Sequence, residues 1–219
     1  DSSHTPIDFD ATPLIDLDVP AIYRNKQFSQ EFQAVIDRGP LAGIVGFYYL
    51  DANANNIFDV RLYTLGALLG APGFTASTYG DVDTKTWAGF GDFTYDVTEQ
   101  FSLSAGLRYT SDKRHAVVLR QNRVLGGQPG LGGADGFGVG IVSATTSNFD
   151  GRRKDTAWTP RFSASYKPNA DHNIYASYSR GFKGGGFDPR GQTSNAPGDT
   201  PTTPATEQQI YDFMDFDPE

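Results

Sequence analysis

Few residues in this chain are spaced for chemistry. Asp51, Asn53, Asn55 and Asp59 stand at the intervals of a calcium loop. Such a loop takes oxygen ligands from alternate positions and closes with a bidentate carboxylate at the twelfth. Here the twelfth residue is Leu62, so a plain Asx-rich loop is the expected reading. His4, His115 and His172 lie far apart without metal-ligand spacing. Asp92 and Asp96 share one strand face, whereas glycoside hydrolysis requires two convergent carboxylates. A polar-face pair is expected as the lining of a lumen, and the chain reads as a non-enzyme. From about Arg114 to Asp155 runs a glycine-rich stretch (Gly126, Gly127, Gly130, Gly132, Gly133, Gly136) with no Gly-Lys-Ser/Thr and no strand leading into a helix. It is neither a P-loop nor a dinucleotide fingerprint, and is expected to be a mobile surface loop.

Composition narrows the class further. The 219 residues carry a net charge of −8 and no basic stripe, which argues against nucleic-acid binding. Cysteine is absent, excluding disulfides, thiolate metal sites and a cysteine nucleophile. Phe 16, Tyr 11 and Gly 25 favour β-structure with many turns. The longest apolar run, Leu41 to Leu50, is too short for a membrane helix, which needs roughly 18 to 20 residues. Barrel strands alternate and escape that test.

The elements that would position these residues pair as three hairpins. Residues 1 to about 26, with Pro6, Pro13 and Pro20, read as a loop. Phe28, Phe32, Ala34 and Ile36 then alternate with Ser29, Glu31 and Gln33, Gln30 being out of pattern. Asp37 to Pro40 turns the chain into a strand over Leu41 to Leu50. The region from Asp51 to about Asp83 reads as irregular, with a short helix or loop tip at Leu62 to Leu69. In the second hairpin Trp87, Gly89, Gly91, Phe93 and Tyr95 share a face; Phe90 breaks the opposite one. After the turn at Val97 to Gln100, Phe101, Leu103, Ala105, Leu107 and Tyr109 alternate without a break with Ser102, Ser104, Gly106, Arg108 and Thr110. Trp158 to Tyr166 and Ile174 to Tyr178, joined through Pro168 to His172, form the third. The strand then runs into Gly184-Gly185-Gly186, which marks its exit from the sheet. Thr206 with Gln209 is a capping-box signal for a turn of helix over Ile210 to Met214.

Short turns alternating with long connections are the pattern of a membrane barrel, with short periplasmic turns and long extracellular loops. Aromatic residues near strand ends suit the two headgroup levels, and the Ser/Thr/Gly face suits a wet or plugged lumen. Alternation turns Arg180 toward lipid, tolerable near the rim. The fold expectation is all-β, about six antiparallel strands. Six strands cannot close a membrane barrel, so residues 1–219 are expected to be part of a larger one.

Several segments carry a family resemblance in sequence order. They are Gln27-Phe28-Ser29-Gln30-Glu31-Phe32, Ala42 to Tyr49, Gly106-Leu107-Arg108-Tyr109-Thr110, Thr159-Pro160-Arg161-Phe162, Ser179-Arg180-Gly181-Phe182-Lys183-Gly184-Gly185-Gly186-Phe187 and Phe216-Asp217-Pro218-Glu219. Together they resemble TonB-dependent outer-membrane receptors. The resemblance implies a 22-stranded transmembrane barrel plugged by an N-terminal domain, with residues 1–219 a partial barrel domain lacking plug and C-terminal strands. It implies uptake of a scarce ligand, most often a ferric siderophore, energised by the inner-membrane TonB complex through the missing plug, in contact with outer-membrane lipid and with no cofactor. Arg108, Arg161, Arg180, Lys183 and Phe187 are the candidate contacts to an anionic ferric chelate. The alternatives are a passive porin-like barrel and a secreted soluble β-rich binding protein.

Overall fold

The computed structural model describes residues 2–9, 11, 17–126, 138–200 and 202–219. Seven antiparallel strands lie side by side in sequence order: β1 (Ser2–Asp8), β2 (Asp18–Arg38), β3 (Leu41–Leu62), β4 (Phe74–Asp96), β5 (Phe101–Val124), β6 (Ile141–Asn169) and β7 (His172–Ser179). The six expected strands are β2 to β7. A separate two-stranded pair, β8 (Gly186–Phe187) with β9 (Asp215–Phe216), lies beyond them. Helices are short: α1 (Tyr63–Leu68) fills the expected tip, and α2 (Glu207–Met214) carries the Thr206/Gln209 capping box. Among the described residues no helix is long and apolar enough to cross a membrane.

The tight turns gather at one end of the sheet. Gly39-Pro40 joins β2 to β3, Gly39 taking a φ of 59° that a side chain would resist. Val97 to Gln100 joins β4 to β5, and Ala170-Asp171 joins β6 to β7. The connections at the other end are longer, yet far shorter than the sequence suggested.

Three expectations are corrected here. Residues 1–26 are not simply a loop: β1 pairs with β2 from Ser2↔Arg24 to Asp8↔Asp18, with Pro6 opposite Pro20. Proline is tolerated because β1 is the edge strand of the described sheet and the β2–β3 register passes over Pro20. The irregular stretch after Asp51 is a continuation of β3 against β4, in unbroken register from Leu41↔Tyr95 to Leu62↔Phe74. The stretch from Arg114 likewise continues β5 against β6. The expected glycine loop falls at positions 127–136 outside the described residues, while Gly126 follows the end of β5. The physical reason is common to both ribbons. Where both faces meet polar surroundings no apolar alternation is needed, and cross-strand polar pairs hold the register instead. Asn53 Nδ2 donates to Asp81 Oδ1 at 2.6 Å and to Asp83 Oδ1 at 3.0 Å, and Asn55 Nδ2 donates to Asp81 Oδ2 at 3.2 Å.

In the lower half of the sheet the alternation holds as read. Phe101, Leu103, Ala105, Leu107 and Tyr109 share a face with Trp87, Phe93, Tyr95, Trp158, Phe162 and Tyr166, as the pairings Gly89↔Tyr109, Tyr109↔Trp158 and Ala105↔Phe162 require. Among the described residues no second layer covers that face: Leu103 is 44% exposed, Leu107 48% and Phe162 54%. Aromatic rings form a belt across it. Phe47 lies 6.4 Å from Trp87, Trp87 5.3 Å from Tyr109, and Tyr109 4.8 Å from Trp158. Soluble sheets do not leave such a continuous apolar face to water.

Candidate functional site

The opposite face is polar and holds arginine. Phe90, which broke the sequence pattern, stands opposite Arg108 on the neighbouring strand. The Arg108 guanidinium sits 5.5 Å from the Phe90 ring centre and 5.6 Å from that of Tyr48. A planar cation over two rings is held by their quadrupoles. Its Nε donates to Thr110 Oγ1 at 3.2 Å. Gly46 leaves the room, since a Cβ there would lie 2.4 Å from the Phe90 ring. On the adjacent strand β6, Arg161 donates to Asp92 Oδ2 of β4 at 3.2 Å and is 58% exposed. Arg108, Arg161 and Arg180 line one hollow of about 270 Å³ together with Phe90, Asp92 and Thr159.

The other two candidates lie elsewhere. Lys183 pairs with Glu219, through both backbone groups (2.8 and 3.0 Å) and its ammonium (3.3 Å). Phe187 is buried, packed with Ala116, Val118, Phe149 and Met214. Its ring centre is 5.0 Å from Phe149 and 5.4 Å from Tyr211.

Sequence reasoning missed the charged cluster beneath that small core, because it fell in the expected loop. Segment 183–216 crosses the arginine face of β5 and β6 there. Arg153 Nε and Nη2 donate to the two oxygens of Asp155, each at 2.8 Å, while Nη1 reaches Asp215 and, at 2.8 Å, the Phe216 carbonyl. Gly185 N–H donates to Asp155 Oδ2 at 3.2 Å. The hydrogen bonds from Arg153, aided by its charge, hold the Asp155 carboxyl below the usual carboxylate range, although burial opposes this. Beside it Asp112 accepts from Arg114 Nε at 3.0 Å and from Thr86 Oγ1 at 2.5 Å. The glycine run now has a reason: a Cβ on Gly184 would lie 2.4 Å from Asp112 Oδ2, and one on Gly185 2.4 Å from Arg153 Cζ.

No calcium loop forms. Asp51 and Asp59 lie on one extended strand, roughly 27 Å apart at the usual rise per residue. Asp59 is buried and accepts from Ser77 Oγ at 2.5 Å and Gly138 N–H at 2.8 Å. Among the described residues no group of three or more His, Asp or Glu side chains is placed to hold a metal.

The comparisons with known proteins agree with this architecture. No curated protein sequence matches the chain. Among solved structures it is similar to the ferric yersiniabactin uptake receptor FyuA from Yersinia pestis, at 20% identity and a TM-score of 0.58 over 79% of this chain. The chain spans 23% of the length of that receptor, and at this identity the likeness speaks for the fold. The family model described as "TonB dependent receptor-like, beta-barrel" matches residues 4–219. A match over nearly every residue, on an open antiparallel sheet whose aromatic-belted face is bare, means that the chain belongs to the TonB-dependent receptor-like β-barrel family.

Proposed function

We propose that residues 1–219 are part of the barrel wall of a bacterial outer-membrane receptor that takes up a scarce anionic ligand, a ferric siderophore in the first instance. Plug and remaining strands belong to the rest of the receptor, and energy comes from the inner-membrane TonB complex through that plug. In this reading the aromatic-belted face meets lipid and the arginine face lines the lumen. Edge strands in hydrocarbon would leave N–H and C=O groups unpaired, which supports further strands on both sides.

The observation that carries the proposal is Arg108 held over the rings of Tyr48 and Phe90, sharing a hollow with Arg161. The two guanidiniums of Arg108 and Arg161 on one wall raise the local potential for an anionic chelate; Arg180, whose N–H donates to the Pro160 carbonyl, lies at the rim with the parity of the belted face. Arg161 is partly neutralised by Asp92, so Arg108 is the principal contact. Lys183 and Phe187 act by placing segment 183–216 at the lumen mouth. The chemistry of this reading is binding and passage.

The test is uptake of iron-55-labelled siderophores by cells expressing the full-length receptor, with and without an energised inner membrane. Energy-dependent accumulation of one siderophore class supports the reading. Energy-independent flux of small solutes, with conductance in planar bilayers, would replace it by a passive porin.

A further inference from the structure

Beyond Pro160, toward Ile141, the wall has a seam. β6 and β7 pair from Asn169↔His172 to Arg161↔Ser179, and their last backbone hydrogen bond runs from Arg180 N–H to the Pro160 carbonyl at 3.0 Å. β6 continues to Ile141 against β5, yet among the described residues no strand pairs with its other edge past Pro160. Trp158, Thr156, Lys154 and Arg152 are exposed there. Ladder alternation aims their backbone N–H and C=O groups at the same edge as those of Pro160. The Arg152 carbonyl accepts from the Tyr211 hydroxyl at 3.0 Å.

Pro160 marks the parting. It has no N–H, so the Arg180 carbonyl lacks its ladder donor at that pair, and the strand peels away where the bond is missing. A Cβ on Gly181 would meet nothing within 4 Å, which leaves room for the bend. The chain then turns onto the lumen face. Lys183 exchanges backbone hydrogen bonds with Glu219 at 2.8 and 3.0 Å, and Gly186↔Phe216 and Phe187↔Asp215 continue the ribbon. Because Lys183 faces Glu219, the N–H and C=O of Phe182 point to the opposite edge of the ribbon.

Continuing the β6–β7 register would place Phe182 opposite Trp158, Lys183 opposite Ala157 and Gly184 opposite Thr156. Phe182 would then join the row of Phe47, Gly89, Tyr109 and Trp158 on the belted face, beside the Trp158 ring. Lys183 would fall on the lumen face, diagonal to Asp155 and within reach of a long side chain.

We propose that the ribbon of residues 181–187 and 215–219 is a flap with two positions: the curled one seen here, across the lumen face, and a wall position in which residues 181–184 lengthen β7 along β6. The inference rests on the reading that the arginine face lines a lumen. The curled position is held by Arg153 with Asp215 and by Phe187 on Phe149. The wall position replaces these with ladder hydrogen bonds at Trp158 and Thr156 and with the Trp158–Phe182 contact. Two modest sets of contacts thus compete for one segment, as a bistable element requires. Moving the flap into the wall closes the seam and uncovers Ala116, Val118 and Phe149, which widens the mouth in the same step.

The chain has no cysteine, so disulfide pairs report cleanly on position. Ala157→Cys/Lys183→Cys occupies a non-hydrogen-bonded pair of the wall position, with Cα atoms roughly 4.5 Å apart and within disulfide reach. Ser163→Cys/Ser177→Cys, opposite one another in the observed register, reports the pairing of β6 with β7. Arg161→Cys/Lys183→Cys is out of register by roughly 13 Å along the strand. Each pair is made in the full-length receptor, oxidised with copper phenanthroline in outer-membrane vesicles and read by mass spectrometry of tryptic peptides. The 157/183 pair is expected to close, and about tenfold faster when Arg153→Gln removes the tie that holds the curled position. Three results overturn the flap: no closure of 157/183 while 163/177 closes, a rate indifferent to Arg153→Gln, or equal closure of 161/183, which would mean a loop without register. Heat-modifiable gel mobility, the signature of a membrane barrel, and uptake of labelled siderophore keep the two readings apart. If wild type shows neither, the lumen reading fails whatever the disulfides do; if it shows both while 157/183 stays open, the flap alone fails.

Discussion

Arg153 grips Asp215, 62 residues further along the chain, and with the same guanidinium holds both oxygens of Asp155 on its own strand. One planar cation thereby ties segment 183–216 to the sheet. The Arg153, Asp155 and Asp215 side chains are only 9%, 10% and 19% exposed, so removing the cation leaves two largely buried carboxylates facing each other. Arg153→Gln is expected to loosen the segment by about 3 kcal/mol while leaving β2 to β6 paired. Faster amide exchange at Gly185 and Phe187, and trypsin cleavage at Arg190, with unchanged exchange at Leu103 and Leu107, are the expected readouts.

Acid should release the same contact. The folded-state pKa of Asp155 is depressed, chiefly by hydrogen bonds from Arg153. Its stabilisation is therefore fully present above the ordinary aspartate value of about 4 and is lost as pH falls through the lower, folded value. Proteolytic sensitivity at Arg190 is expected to rise below about pH 4 and to stay flat from pH 5 to 8. Arg153→Gln should weaken this acid step, because the largest cause of the depression goes with the guanidinium and only the Gly185 N–H and the Arg114 charge remain.

The small core above the charges gives a third expectation. Phe187→Ala removes a ring packed on Phe149 and Tyr211 and should cost about 3 kcal/mol of local stability. Ligand uptake should fall in that variant through loss of the ordered mouth, and Phe187→Leu should restore most of it. An equal loss of uptake in Phe187→Leu would instead make the ring a direct ligand contact.

The parts of the chain that were legible and illegible divide by what each face touches. Phe101 to Tyr109 could be read because one side is bare and apolar while the other carries Ser102, Ser104 and Arg108. Asp51 to Asp83 could not, because Asn53 and Asn55 hold their register through Asp81 and Asp83, a pattern indistinguishable in sequence from an Asx-rich loop. The burial of Phe187 is not legible in the sequence, because it depends on Phe149, Met214 and Tyr211, none near it in the chain. Arg108 and Arg161 were legible as one face, but the rings flanking Arg108 were not: Phe90 appeared only as an irregularity. The triple glycine was recognised as an exit from the sheet, and its closeness to Asp112 and Arg153 emerged only from the fold.

For the lumen wall, Arg108→Gln keeps polarity on a shorter side chain but removes charge and ring stacking. Affinity for an anionic chelate is expected to drop roughly tenfold, about 1.4 kcal/mol, with the barrel's heat-modifiable mobility intact. Arg108→Lys should recover only part, because an ammonium is a point charge without a planar face to lie over Tyr48 and Phe90. Titration of labelled ligand against cells bearing each variant reads the difference.

The assignment of faces can be tested with two arginines. Leu107 is on the belted face, half exposed and midway between Phe101 and Lys113; Ser104 is on the other, 2.8 Å from Thr94 across the strand pair. If the belted face meets hydrocarbon, Leu107→Arg places a charge deep in the bilayer and costs about 2–4 kcal/mol. Ser104→Arg extends into the lumen and costs under 1 kcal/mol beyond the lost hydroxyl contact. Urea titration of the full-length receptor refolded in phosphatidylcholine vesicles should separate the two variants by that margin. Equal destabilisation would mean that both faces see similar surroundings, as in a soluble sheet. The reverse order would mean that the lumen and lipid faces are exchanged.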